Sequence, residues 1–409
     1  MKILHTADWH IGTKWEGVDR TPDLLGRAVP DVVELALTEQ VDMVLIAGDV
    51  FERQTQESVH NAAQTLRDPF RALLEANIDI VLLLGNHDSP PLFRFLRSAV
   101  ELVGEEQSER GQLHIHNGVW IKTISGLQIV HIPYLRAEQI EQASRSKVFE
   151  LPNTAEMVNW KMGRQLDQIA QALRARLDNR SPAMMTFHGT IQGATVGVNE
   201  QSREFTYHQD FMLSPDSLLF NDQVPQYNAL GHIHKWQELA GSVPTWYSGS
   251  IDRLNRGERE YEPSVMIVEF PTNGRYANCQ RIPLPRPTPF LDEQIGTHVE
   301  LQALCDELGE EKCQQTLGQF TLTCEPTEAY ALDQAIRDAF PRLRGVKKAV
   351  LRPRHSSRQQ QSIITRDIKS LTNPAQTIRS YIVENVADRE QEGLLQALVA
   401  VEEQLGHDH

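Results

Sequence analysis

Three stretches in the first ninety residues repeat one pattern. KILHTAD (2–8), VDMVLIAGD (41–49) and IDIVLLLGNHD (78–88) are each a short, nearly unbroken apolar run that ends on Asp or on Asn-His-Asp. Short aliphatic runs of this kind read as strands covered on both faces. Between the first two, PDVVELAL (30–37) has helical apolar spacing, with Pro30 suited to a first turn. Between the second and third, SVHNAAQTLRDPFRALLEAN (58–77) also reads as helical, interrupted near Pro69. Strand, helix, strand, helix, strand implies parallel strands with right-handed crossovers. The polar residues that end the strands are then delivered to one edge of a sheet.

Further strands are expected at LQIVHIPYL (127–135), PAMMTFHG (182–189), YNALGHIH (227–234) and PSVMIVEF (263–270), with a mostly helical, polar stretch between 136 and 180. The segment IPLPRPTPF (282–290) holds four prolines and marks a domain boundary. This closes a first domain at 1–282. Residues 290–352 mix helical patches (LQALCDEL, ALDQAIRDAF) with strands (QFTLTCE, KKAVLRP), which suits a small α+β domain. Residues 353–371 are polar and basic, a linker. The tail, 372–409, reads as two short helices, the first capped by Thr372 or Asn373 with Pro374 in its first turn. Ile378, Tyr381 and Ile382, then Leu394, Leu395, Leu398 and Leu405, mark apolar faces. Helices this short must dock on their own body or on another protein.

The 409 residues are 40% hydrophobic, enough for a sizeable core, and no apolar run approaches the ~20 residues of a membrane helix. MKILHTADWH lacks the apolar region of a secretory signal, so the cytoplasm is the expected location. Cys279, Cys305, Cys313 and Cys324 form no C-x-x-C pair and read as reduced structural thiols. The net charge of −15 argues against coating nucleic acid by bulk attraction, though not against local basic patches or bound cations.

LGHIHK (230–235) places His232 and His234 two residues apart. In an extended segment such residues point to the same side, so both rings can reach one small volume. Imidazole is the commonest metal-ligand side chain. An isolated H-x-H is as readily a polar loop, so the strand ends decide. Strand one offers Asp8 and His10, strand two Asp49, strand three Asn86 and His87, and later ends His188, His232 and His234. In an open α/β sheet, functional groups gather at the carboxyl ends of strands. Carboxylate, carboxamide and imidazole together suit Mn, Fe or Zn. There are too many donors for one tetrahedral ion, and two ions sharing a bridging carboxylate account for them. Such pairs are the usual device for in-line displacement at phosphorus.

The ordered set D-W-H (8–10), G-D-V-F-E (48–52), G-N-H-D (85–88), H-G (188–189) and G-H-I-H (231–234) resembles the calcineurin-like metallophosphoesterase family. LHTADWHIG, AGDVFE, LGNHDSP, HIPYLR, ALGHIHK and YSGSIDRL look like the SbcD-type nuclease component of a bacterial double-strand-break repair complex. The resemblance is sharp to about residue 280 and looser beyond. It implies an α/β fold: a sandwich of sheets flanked by helices, with a capping domain and a partner-binding tail. It implies that Asp8, His10, Asp49 and His234 hold one ion and Asp49, Asn86, His188 and His232 the other, manganese in both. His87 would face the scissile phosphate, with Asp88 orienting it. The implied activity is 3′-to-5′ exonuclease action on duplex ends and endonuclease action on single strands or hairpins. The implied partners are DNA, an SMC-like ABC ATPase that receives the tail, and a second copy of the chain.

The pattern departs at Glu52, where the family often carries Asp or His, which bears on substrate positioning beside Asp49. A phosphatase or cyclic-nucleotide phosphodiesterase of the same superfamily is a second reading, but small substrates need neither the added domain nor the tail. A protein phosphatase would also want G-N-H-E and an arginine followed by glycine; Arg53 lacks that glycine. A DNA-end scaffold that does not cut is a third reading, and a missing ligand would support it; none is missing. Trp9 reads as packing, while Lys14 and Trp15 in IGTKWEG could touch DNA.

LRGVKKAVLRPRHSSR (343–358) carries six basic residues and no acid. It is either a solvated strand edge and linker or a patch that tracks phosphates. Reversing Lys347, Lys348 and Arg352 to Glu is expected to weaken DNA binding and flatten its salt dependence; binding across a salt series is the check.

Overall fold

The structure is a computed structural model that describes residues 1–52, 56–89, 111–116, 118–136, 155–178, 180–196, 212–214, 225–271, 276–324 and 326–342. Lys347, Lys348, Arg352, the KKAVLRP segment, the expected linker and the tail lie outside these residues.

Two six-stranded sheets form the body. The first is built on β1 (Lys2–Thr6), β4 (Met43–Ile46), β5 (Asp79–Leu83) and β6 (Leu113–His116), all parallel. β13 (Ser264–Glu269) and β14 (Asn278–Pro283) extend it antiparallel past β1. The second sheet has β8 (Leu127–Ile132), β9 (Ala183–His188), β10 (Tyr227–Gly231) and β12 (Thr245–Tyr247) in parallel, flanked by β7 (Trp120–Ile124) and β11 (Gln237–Glu238) antiparallel.

Strand alternation explains the layers. Ile3, Met43, Leu45 and Val81 face Leu127, Ile129, Met184 and Ala229 in a core shared by the two sheets. Their neighbours Leu4, Val44, Ile46 and Leu82 face the other way, against Val29, Val32, Ala36, Phe70 and Leu73 of the helices. On the far side, Val130, Met185 and Phe187 pack on Leu166, Ile169 and Leu173 of helix Ala155–Arg174. The result is the expected α/β sandwich of sheets flanked by helices.

Three local expectations change. The helix expected from Pro30 begins at Thr21–Asp23 and passes through a π-type turn, Leu24–Ala28, before Val29–Thr38. Pro30 has no amide hydrogen to give the preceding turn, and the helix widens there. Helix Gln56–Glu75 runs through Pro69 without interruption, held by Leu66, Phe70 and Leu73 in the core. Trp15 is buried rather than presented to a ligand. It lies on the hairpin β2 (Lys14–Trp15) and β3 (Val18–Asp19), its ring edge-on to Phe290 at 5.1 Å. Lys14 on the same hairpin is exposed. Trp9 is core, its indole N–H donating to Thr6 Oγ1 at 3.0 Å.

β15 (Phe290–Ile295) pairs parallel with β16 (Leu317–Leu322). Helices His298–Leu308 and Pro326–Ala339 cover them through Leu301, Leu332 and Ile336, giving this α+β unit its own core. The first of these helices opens on a capping box, Thr297 with Glu300. A buried guanidinium braces the body where the chain leaves it for this unit. Arg20 donates to Asp23 and Asp252 at 2.9 Å, to the Arg253 carbonyl at 2.7 Å and to Thr288 at 2.8 Å. Among the described residues no helix is long and apolar enough to cross a membrane.

His5, fully buried on β1, joins the two sheets through Nδ1 and the Tyr227 hydroxyl, 2.8 Å apart. Burial lowers its imidazole to about 3, against a smaller raising effect of the Leu230 backbone. The folded state therefore binds this proton less readily than the unfolded chain, whose histidines titrate near 6.5. His5 stabilises fully above that value, and the contribution is lost as pH falls from about 6.5 towards 3, at up to about 1.4 kcal/mol per pH unit. In denaturant titrations between pH 7 and 4.5, His5→Gln is expected to lose less stability on acidification than the unaltered chain.

Candidate metal centre

The strands stop just short of the polar residues. β1 ends at Thr6, β4 at Ile46, β5 at Leu83 and β10 at Gly231. Asp8, His10, Asp49, Asn86, His87, His232 and His234 therefore lie in the loops that follow, where the backbone is free to turn. It turns sharply: Asp8 (φ 53°), His10 (46°), Asp49 (53°) and His232 (100°) all adopt left-handed conformations. Such backbone is costly for non-glycine residues and gathers at functional sites. The loops brace one another, Asp8 N–H donating to the Gly48 carbonyl and His10 N–H to the Asp49 carbonyl, each at 3.0 Å. His232 N–H spans the two sheets to reach the Asp8 carboxylate at 3.0 Å.

Glycines let the loops approach. A Cβ on Gly85 would stand 2.0 Å from Asp49 Oδ1, and one on Gly231 would stand 2.0 Å from the Ala47 carbonyl oxygen.

The side chains converge in three overlapping groups: Asp8, His10 and His234; Asp49, His188 and His232; and His10, Asp49 and His87. Within each, the candidate ligand atoms lie within 4.8 Å of one another. Asp49 Oδ2 is 3.3 Å from His188 Nε2 and 3.7 Å from His10 Nε2, while Oδ1 accepts the His87 amide at 2.9 Å. Asn86 Oδ1 stands 3.1 Å from His188 Nε2 and 3.0 Å from His232 Nδ1. All seven ligand candidates from the sequence are thus brought together. The extended geometry expected of G-H-I-H is not what does it. The left-handed turn at His232 sends its ring to the Asp49 group and the His234 ring to the Asp8 group.

The donor set fits divalent ions. Three imidazoles have Nδ1 tied down: His10 to Glu52 Oε2 at 2.8 Å, His188 to the Ala47 carbonyl at 2.7 Å, and His234 to Glu258 Oε1 at 3.0 Å. A ligand imidazole is commonly fixed this way, leaving its other nitrogen for the ion. The Nε2 atoms of His10 and His234 indeed face each other at 3.1 Å. Two lone pairs so close call for a cation or a shared proton between them.

Electrostatics agree. Burial disfavours the Asp49 charge, but His188, His10 and His87 outweigh it and hold its carboxyl well below the usual range. Burial likewise opposes charge on His188, yet Asp49 and Asp8 push it up to about 9. Asp8 goes the other way: burial raises it despite His188 and His234. Carboxylates and imidazoles packed this closely share protons among themselves, and a bound cation would take the place of those protons.

The structure differs from the expectation at Asp88. Its carboxylate accepts backbone N–H groups of Gly85 at 2.9 Å, Phe51 at 3.2 Å and Val50 at 3.4 Å, and so braces the loops. The group at His87 Nδ1 is Glu52, whose Oε1 is 3.1 Å away. Burial opposes Glu52's charge, but its bonds to His10 and His87 pull its carboxyl far below the ordinary range. Glu52 is three residues after Asp49, so its place in the site was open to inference. Glu258 carries no such signal. Tyr134, half-buried, adds an aromatic wall, its ring 6.5 Å from that of His188 and 6.1 Å from that of His232.

Paired carboxylates and imidazoles at the facing edges of two sheets define a metal-dependent phosphodiester hydrolase. The chain belongs to the calcineurin-like phosphoesterase family, whose model matches residues 1–236. It is 30% identical over 305 residues to the SbcD component of the SbcCD nuclease of Rhodobacter capsulatus, covering 71% of each chain. It is 28% identical over 302 residues to the corresponding SbcCD nuclease component of Escherichia coli K12, covering 71% of this chain and 70% of that one. Against the DNA double-strand break repair protein Mre11 of Aeropyrum pernix, identity is 25% over 304 residues, covering 72% of this chain and 64% of the relative.

Gly85→Ala should displace Asp49 and weaken divalent-metal binding, with an overpacking cost of about 1–3 kcal/mol. Gly118→Ala, where a Cβ meets nothing within 4 Å, should leave both unchanged. Calorimetric titration with Mn²⁺ and thermal unfolding are the measurements.

Proposed function

We propose that this chain is a Mn²⁺-dependent DNA nuclease that cuts duplex ends 3′-to-5′ and opens single strands or hairpins endonucleolytically. The observation that carries the reading is the cluster of buried Asp8, His10, Asp49, His188, His232 and His234 with half-buried Asn86, in a chain similar to the SbcD components of SbcCD nucleases. Asp8, His10, Asp49 and His234 would hold one ion and Asp49, Asn86, His188 and His232 the other, with Asp49 between them. When bound, the ions neutralise charge that develops during in-line displacement at phosphorus.

The remaining residues shape the reaction. Glu52 at Nδ1 orients His87 so that Nε2 serves the phosphate, either stabilising charge or protonating the leaving oxygen. Asp88 acts at one remove, holding the loops of Asp49 and His87 through backbone amides. Tyr134 bounds the open side of the His188–His232 pair.

The same reading extends to partners. Residues 290–352 would cap the nuclease body of 1–282, and the helices of 372–409 would follow the 353–371 linker to dock on an SMC-like ABC ATPase. Two copies of the chain would pair within that complex, in the cytoplasm. Lys14, Lys347, Lys348 and Arg352 would contribute DNA contacts.

The test is cleavage of end-labelled linear duplex, hairpin and single-stranded DNA with Mn²⁺, beside p-nitrophenyl esters. Mn²⁺-dependent DNA cleavage, lost in His87→Ala and Asp49→Ala, is the expected result. Losses of about 10²-fold or more are in scale with removing a proton donor or a bridging ligand. Ester hydrolysis with intact DNA, even with the ATPase partner present, would replace this reading by a small-substrate phosphodiesterase.

A further inference from the structure

One short turn touches both the metal centre and the α+β unit. The 3₁₀ turn Arg256–Glu258 follows Asn255, whose side chain accepts the Gly257 amide at 2.8 Å. Glu258 is 1% exposed, though nothing in its local sequence calls for burial. Its carboxylate accepts three donors. Oε1 stands 3.0 Å from His234 Nδ1 and takes Asn255 Nδ2 at 2.5 Å, while Oε2 takes the Leu254 amide at 2.8 Å. Two residues earlier, Arg256 reaches the opposite way. Its guanidinium pairs with Asp292 on β15 and donates to Gln319 on β16 at 2.8 Å. The start of the turn is clamped too, since Arg20 Nη1 donates to the carbonyls of Arg253 and Leu254.

These contacts leave the turn little freedom. Through this one turn, Arg256 and Glu258 connect β15 and β16 with the His234 ring. A buried carboxylate also decides which nitrogen of His234 bears the proton, because Oε1 can only accept. With the proton held on Nδ1, Nε2 keeps its lone pair for an ion beside His10 and Asp8.

We propose that Glu258 is a positioning residue that sets the tautomer and aim of His234, and that Arg256 couples this setting to the α+β unit. The ion that Asp8, His10, Asp49 and His234 would hold is then the one whose affinity depends on how β15 and β16 sit. His188 and His232 take their Nδ1 contacts elsewhere, from the Ala47 carbonyl and from Asn86. The inference rests on the two-ion reading of the metal centre.

The experiment is Mn²⁺ titration of the full chain, by calorimetry and by electron paramagnetic resonance, for the unaltered protein, Glu258→Gln and Arg256→Ala. Gln keeps the shape of Glu258 but has one acceptor oxygen for three donors. Glu258→Gln is expected to weaken one of two sites by roughly 10- to 100-fold and spare the other. Arg256→Ala, a change in a partly exposed side chain, is expected to weaken the same site by a smaller factor. Nitrogen-15 shifts of the histidine rings in the unaltered protein give a measurement independent of folding of the variants, with the His234 proton expected on Nδ1. Two sites of unchanged affinity in both variants, or a His234 proton on Nε2, would overturn this proposal and leave the metal centre standing. An unaltered chain that binds no Mn²⁺ would overturn the metal reading and this inference with it.

Discussion

The Asp49 carboxylate is the group on which the rest of the site depends. It is buried at the edge where two sheets meet, on backbone turned into the left-handed region. A buried carboxylate is expensive unless opposite charge and hydrogen bonds compensate it. Here one oxygen takes the His87 amide, and the other faces His188 and His10. Those groups come from three separate segments, and Asp49 lies on a fourth. The compensation exists only if both sheets are formed and pressed together, so folding of the sandwich and assembly of the site are one event.

Around that carboxylate the protein fixes imidazoles from behind. Glu52, the Ala47 carbonyl and Glu258 each meet an Nδ1 atom, and the Nε2 atoms turn inward. Carboxylates are suited to this, because they accept and cannot donate. Glu52 does it twice, for His10 and for His87, so the two rings share one support. Asp88 supports backbone instead, gathering amides from two loops.

A second polar network lies away from the metal centre. Asp23 receives Arg20 and Arg342, the latter from just beyond helix Pro326–Ala339. These bonds pull the Asp23 carboxyl down despite its burial. Asp252 takes the Thr288 amide and hydroxyl. Buried charges of this kind hold a specific arrangement because leaving any one unpaired is costly. The α+β unit is therefore held to the body by directional bonds as well as by the contact of Trp15 with Phe290.

The class of fold and most of the site were legible in the chain itself. Apolar runs ending on Asp, Asn and His announce parallel strands and a polar edge, because strand length and side-chain alternation are local properties. The ligand candidates stood directly after those runs, and the structure brings all seven together. What local sequence did not carry was the supporting shell. Glu258 is 24 positions from His234, and nothing in periodicity or spacing ties the two. Asp88, next to His87 in sequence, serves other residues, because its backbone direction sends the carboxylate to the amides of Val50, Phe51 and Gly85. Pro69 within a continuous helix and the turn at His232 are likewise products of packing that outweighs local preference. Sequence by itself determined which donors the protein has and which edge they reach. Tertiary structure alone decided how each is aimed, because hydrogen bonds between distant segments form only after the two sheets have closed on each other.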